Sequence, residues 1–93
     1  MDLDTFQDVI TNTYGERDAD RGIAETIAWL TEEIGELAQA VRKGTPEQQL
    51  HEIGDVLAWV TSLAAQLGLR IEDAVQRYAQ GCPVCSAMPC ACP

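Results

Sequence analysis

Basic residues are scarce in this chain. Six lysines and arginines stand against fifteen acids in 93 residues, a formal net charge of −9. Such a chain repels nucleic acid backbones and anionic membrane surfaces, so neither is an expected partner. Histidine is scarcer still, with His51 alone. Carboxylate-bridged di-iron or di-manganese bundles use Glu-x-x-His motifs. Here the residue three before His51 is Gln48, which cannot serve as the carboxylate. Long apolar runs are also missing. The stretch VLAWVTSLAAQLGL, residues 56–69, is short and carries Thr61, Ser62 and Gln66, so it does not span a bilayer. The N-terminus MDLDTFQDVI lacks the basic and apolar regions of a signal peptide. A cytoplasmic location is the resulting expectation. Four cysteines there would be reduced or metal-bound rather than disulfide-linked. Neither strand-like alternation nor an internal repeat is visible.

The sequence is rich in helical signals. Residues 3–14 suggest a short first helix with Phe6, Val9, Ile10 and Tyr14 on one face. GERDADRG reads as a charged connection, with Asp18 or Asp20 able to cap the next helix. A second helix is expected from about Arg21 to Lys43. Its seam is Ile23, Ile27, Leu30, Ile34, Leu37 and Val41, the period of helix-bundle packing. Thr45, Pro46 and Gln48 supply an N-cap, a first-turn proline and a capping-box partner. A third helix follows to about Leu67, with a seam of Leu50, Ile53, Leu57, Val60, Ala64 and Leu67. A fourth, shorter helix covers about Ile71 to Ala79, with Ala74, Val75 and Tyr78 inward.

These elements predict an all-α fold. Its centre is an antiparallel helix hairpin, with short flanking helices, in an oligomeric four-helix-type bundle. A chain this short buries a limited share of its surface, and an obligate oligomer would relieve that. Residues 1–81 form the helical domain and residues 82–93 a cysteine-rich tail.

Two acid pairs interrupt the helices beside their apolar seams. Glu33 and Glu36 share one helix face, as do Glu52 and Asp55, each pair at i,i+3 spacing. Folding the chain at Gly44-Thr45 brings Glu36 level with Glu52 and Glu33 level with Asp55, within about 1.5 Å of rise. Trp29 and Trp59 match one turn further on. Four converging carboxylates either take up protons or bind cations. Oxygen-only ligands favour a hard cation such as magnesium or manganese, with open positions for phosphate and water. Taken singly, each acid is better read as part of a solvated helix face, and it is the two matched pairs together that point to a cation.

EEIGE followed after fifteen residues by EIGD resembles the EExxE...ExxD motif of the MazG-like, all-alpha nucleoside triphosphate pyrophosphohydrolases. TIAWLTEEIGELAQAVRKG, HEIGDVLAWV and RDADRG look similar to members of that family, and the resemblance covers about residues 15–80. It implies magnesium-dependent hydrolysis to a nucleoside monophosphate and pyrophosphate, by in-line attack of a metal-activated water at the α-phosphorus. By position it makes Glu33, Glu36, Glu52 and Asp55 the metal ligands. Glu32, the first acid of the motif, either orients or deprotonates the water or is simply exposed. The resemblance also implies a homodimer or homotetramer. It does not name the substrate, because dCTP, dUTP and phosphoribosyl-ATP pyrophosphohydrolases share the motif. Phosphoribosyl-ATP hydrolysis and a non-catalytic nucleotide- or metal-binding helical module are the alternatives.

A triphosphate needs cationic partners beyond metal. Lys43, Arg42 and Arg21 are the candidates, although Arg42 and Lys43 also suit a helix C-terminus. Arg17 and Arg21 are ordinary loop and first-turn residues unless the connection folds over the site. Trp29 and Trp59 can each stack on a nucleobase or pack in a core or subunit interface. His51 is expected to point away from Glu52 as a surface residue. In the tail, Cys82, Cys85, Cys90 and Cys92 form a C-x2-C and a C-x-C pair resembling a minimal zinc knuckle. A structural zinc clamping the end of helix four is the leading expectation. Free thiols on a mobile tail, or disulfides formed after purification, are the alternatives.

Overall fold

A computed structural model describes residues 1–93 and contains helices and turns but no strand. Helix α1 spans Leu3–Arg21, α2 Ile23–Lys43, α3 Pro46–Gln66 and α4 Ile71–Val75, and a 3-10 turn covers Gln76–Tyr78. No helix is long and apolar enough to cross a membrane.

α1 corrects the expected short helix and charged connection. It starts at the N-cap Asp2, whose Oδ1 accepts the Thr5 N–H at 2.7 Å. It then runs unbroken through Glu16–Arg21. Within GERDADR Gly15 and the two aspartates are weak helix formers but none breaks a helix, and Arg21 reaches back to Asp18 at 2.6 Å, an i,i+3 pair. The break falls at Gly22, whose φ of 85° favours glycine, so the chain turns there with no loop. Gly22 therefore occupies the N-cap of α2. Asp18 is buried against Arg21, and neither it nor Asp20 caps α2.

The turn from α2 to α3 follows the expected chemistry. The Gln48 N–H donates to Thr45 Oγ1 at 3.2 Å, and the Thr45 N–H donates to Gln48 Oε1 at 2.8 Å. Pro46 opens α3, where a missing N–H costs nothing. Gly44 is needed for closeness: a Cβ there would lie 2.7 Å from the Ala40 carbonyl oxygen. Gln49 Nε2 donates to Ala40 O near the turn, and Gln66 Nε2 donates to Thr26 Oγ1 at the far end. α3 thus runs back along α2.

α1 lies across α3 and is fastened to the segment before α4. Buried Gln7 donates to Leu69 O and accepts from the Ile71 N–H, both at 2.8 Å. Arg70 bonds Asp4 at 2.9 Å and Asp8 at 3.1 Å. α4 ends earlier than expected, passing into the 3-10 turn at Gln76. Ala74, Val75 and Tyr78 are exposed rather than inward.

The seams also differ from expectation. On α2 the protected residues are Thr26, Leu30, Glu33, Leu37 and Ala40, while Ile23, Ile27, Ile34 and Val41 are exposed. On α3, Thr61 and Ser62 are buried, while Leu50, Ile53, Leu57, Val60 and Leu67 are exposed. Small and hydrogen-bonded side chains let the helices approach, and the β-branched and leucine stripe faces outward. Ile10 and Ala40 are the only apolar residues fully buried in a single chain.

Candidate active site

Glu33 sits on the protected face of α2 between Leu30 and Leu37, Glu36 is exposed at its edge, and Glu52 and Asp55 are half-buried on α3. Glu33 and Glu36 stand one turn apart on α2, and Glu52 and Asp55 do so on α3. Glu33, Glu36 and Glu52 each offer a carboxylate oxygen within 4.8 Å of the others. Asp55, Glu52 and His51 form a second group within the same limit.

These carboxylates meet little positive charge. Arginine pairs go to Asp18, Asp4 and Asp8, and the one ion-pair partner at the cluster is His51, whose Nε2 lies 3.3 Å from Asp55 Oδ2. Glu33 Oε2 and Glu52 Oε2 are shut off from solvent and have no hydrogen-bond partner. Burial first, then the neighbouring charge of Glu36, pushes Glu33 up to about 6 from 4.5. Burial, Glu36 and Asp55 also raise Glu52, and His51 partly opposes them. Orphaned hard oxygen donors held this close suit a small divalent cation.

A cleft flanks the cluster on each side. One, of about 480 Å³, lies at the α2–α3 turn and is lined by Glu36, Glu52, Lys43, Gln39 and Gln48. The other, of about 280 Å³, lies between α1 and α3 and is lined by Asp55, Trp59, Arg17, Arg21 and Tyr14. Trp29 and Trp59 stack on one another, with centroids 6.1 Å apart and planes 14° apart. The Arg21 guanidinium carbon sits 4.7 Å from the Trp59 ring centroid.

A protein-family model, the MazG nucleotide pyrophosphohydrolase domain, matches residues 21–81. The chain belongs to the MazG nucleotide pyrophosphohydrolase family. No curated protein matches it. The matched span holds α2 to α4, the acidic cluster, both tryptophans and Arg21. Membership points in general to pyrophosphohydrolase chemistry on nucleotides.

Within the MazG domain, the structure sorts the residues singled out from sequence. Glu33, Glu36, Glu52 and Asp55 converge between α2 and α3. Lys43 borders one flanking cleft and Arg21 the other. Arg42 is exposed and lines neither cleft. Glu32 is exposed and belongs to neither carboxylate group. His51 corrects the expectation for it: it is exposed, yet it turns along α3 onto Asp55. Tyr14 and Asp18 are cleft residues that sequence reasoning missed. The signal was available, because Tyr14, Arg17, Asp18 and Arg21 share one face of a continuous helix.

The MazG domain is followed by the cysteine tail. Its four sulfurs lie within 4.8 Å of one another. Cys82 Sγ is 3.7 Å from Cys92 Sγ and Cys85 Sγ is 4.0 Å from Cys90 Sγ, so no disulfide is present.

Proposed function

We propose that the protein hydrolyses nucleoside triphosphates to a nucleoside monophosphate and pyrophosphate, with magnesium held by Glu33, Glu36, Glu52 and Asp55. Manganese is the alternative hard cation. The observation that carries this reading is the pair of partnerless, solvent-excluded oxygens on Glu33 and Glu52 within a four-acid cluster. When bound, magnesium would supply positive charge for the phosphate oxygens and a lowered pKa for the attacking water.

The chain's own residues do the positioning. Lys43 borders the cleft beside Glu36 and Glu52, where its ammonium answers phosphate charge reaching past the metal. Arg17 and Arg21 border the cleft beside Asp55, and a guanidinium binds phosphate oxygens in pairs. Trp59 lines the same cleft, and its ring, stacked on Trp29, holds the Arg21 guanidinium at 4.7 Å from its centroid. Glu32 is left outside the ligand set. The outward apolar stripe of α2 and α3, including Ile34, Leu50, Ile53 and Leu57, supports a homodimer or homotetramer, because a monomer rarely exposes such a patch.

The test is product analysis of a nucleotide panel with magnesium. Canonical and damaged ribo- and deoxyribonucleoside triphosphates belong in it, and so does phosphoribosyl-ATP. Monophosphate and pyrophosphate, lost on chelation, is the expected result. Diphosphate and phosphate as products would overturn the reaction. Nucleotide binding without turnover across the panel would replace it with a binding module.

A further inference from the structure

Beyond α4 the chain makes a compact turn for which no apolar burial accounts. Among residues 82–93 none is buried, and Val84 and Met88 are 80% and 82% exposed. The turn is nevertheless closed. The Cys82 N–H donates to Ala87 O at 3.0 Å and the Ser86 N–H donates to Cys82 O at 2.7 Å. Gly81, at φ 106°, admits the returning strand of chain, since a Cβ there would lie 2.8 Å from Ala87 O. Two such bonds do not offset the conformational entropy of ordering twelve residues, at roughly 1–2 kcal/mol each. Some other interaction must hold the turn.

The sulfurs supply it. We propose that Cys82, Cys85, Cys90 and Cys92 bind one zinc ion in a closed, structural site, separate from the carboxylate cluster. A disulfide places its sulfurs at about 2.05 Å, far shorter than the contacts here. A tetrahedron with zinc–sulfur bonds of about 2.3 Å has edges of about 3.8 Å. The Cys82–Cys92 and Cys85–Cys90 separations of 3.7 and 4.0 Å match those edges. Each close pair joins one cysteine of C-x2-C to one of C-x-C, so the sulfurs interleave around a single point.

The backbone treats these sulfurs as acceptors. The Ala91 N–H donates to Cys85 Sγ at 3.3 Å and the Cys92 N–H donates to Cys90 Sγ at 3.4 Å. Such bonds suit thiolates and orient them, as outer hydrogen bonds do at metal sites. They also fold the peptide between Cys90 and Cys92 back onto sulfur.

The chemistry sorts two metals within one small chain. Soft thiolates select zinc, and the hard carboxylates on α2 and α3 select magnesium or manganese. As each zinc–sulfur bond forms, a cysteine still protonated gives its proton to solvent. Four sulfurs fill the tetrahedron, so no position is left for water or substrate. The zinc would pin the chain immediately after the 3-10 turn.

The experiment uses the full chain, expressed with zinc and purified under reducing conditions. One zinc per chain is expected, released stoichiometrically by a mercurial that titrates the four thiols. Cobalt in its place should give the intense visible spectrum of a tetrathiolate centre. The double substitution C85S/C90S should lose the retained zinc and the cobalt spectrum while keeping the helical circular dichroism of α1 to α3. Four freely titratable thiols in the presence of added zinc would overturn the proposal, as would two disulfides or bound iron. None of these readouts involves nucleotide hydrolysis, so the site stands or falls independently of the proposed function.

Discussion

Glu33 on α2 and Glu52 on α3 each keep one carboxylate oxygen out of water with no donor to receive it. Folding has brought together like charges that only a cation or a proton can relieve. Substituting either by glutamine should therefore separate function from stability. Glu33→Gln and Glu52→Gln are expected to lower kcat/KM by at least about 100-fold, on the scale seen when groups supporting a metal are removed. The metal-free variants should melt at or above the wild-type temperature, because a repulsive charge has gone. Calorimetry with chelator, beside turnover with magnesium, reads both. Retained turnover in either variant would remove that residue from the metal site.

The raised pKa of Glu33 fixes the sign of a pH effect. Its ordinary value of 4.5 is pushed up to about 6 in the folded chain. Between those values the native state holds a proton that the unfolded chain has lost. The resulting destabilisation is fully present above about 6 and is relieved as pH falls toward 4.5. Metal-free wild type should gain stability relative to Glu33→Gln as pH is lowered through this window. Saturating magnesium should erase the gain, because a bound cation replaces the proton. The check is the difference in melting temperature between the two proteins at several pH values. A difference that does not vary with pH would contradict the burial of this carboxylate.

How far the sequence could be read depended on what kind of signal each residue sends. Thr45, Pro46 and Gln48 set the start of α3 through local hydrogen bonds, so that boundary was legible. The spacing of Glu33, Glu36, Glu52 and Asp55 placed them at matched heights, and the structure brings their carboxylates together. The length of α1 was not legible, because a dense run of charge looks like a loop until its i,i+3 pairing is seen. The buried face was misread for a different reason. Apolar periodicity finds a stripe but does not say what covers it. Thr26, Ala40, Thr61 and Ser62 won the space between helices because they are small or bond within it. His51 is the exposed residue that was expected, but its turn toward the acids was not legible, because a lone histidine carries no pattern although Asp55 lies one turn on.

The length of α1 has a functional consequence under the proposed reading. It carries Arg17 to the cleft that holds Asp55 and Trp59. Arg17 forms no ion pair within the chain, whereas Arg21 pairs with buried Asp18. Arg17→Ala should raise KM by about tenfold, one charge-assisted phosphate bond's worth, without changing the melting temperature. Arg21→Ala should raise KM and also destabilise the protein, because Asp18 is left buried without its partner. Steady-state kinetics beside thermal denaturation separates the two. An unchanged KM in Arg17→Ala would mean that this cleft does not receive the phosphates.

The outward stripe makes a prediction about assembly. Ile34 and Val41 on α2 and Leu50, Ile53 and Leu57 on α3 are 45–72% exposed. Only Ile10 and Ala40 are buried apolar residues, a small core for a chain of 93 residues. Covering the stripe with that of a second copy would remove most of this apolar surface from water at roughly 25 cal/mol per Å². Wild-type protein should therefore run as a dimer or larger in light scattering coupled to gel filtration. Leu57→Glu, in the middle of the α3 stripe, should shift it toward monomer and lower its melting temperature, since a charge would sit inside the contact. Leucine 57 lies on a different face from the acids, so magnesium affinity measured per folded chain should change far less than assembly. A monomeric wild type would sink the oligomer and leave the stripe without a covering partner.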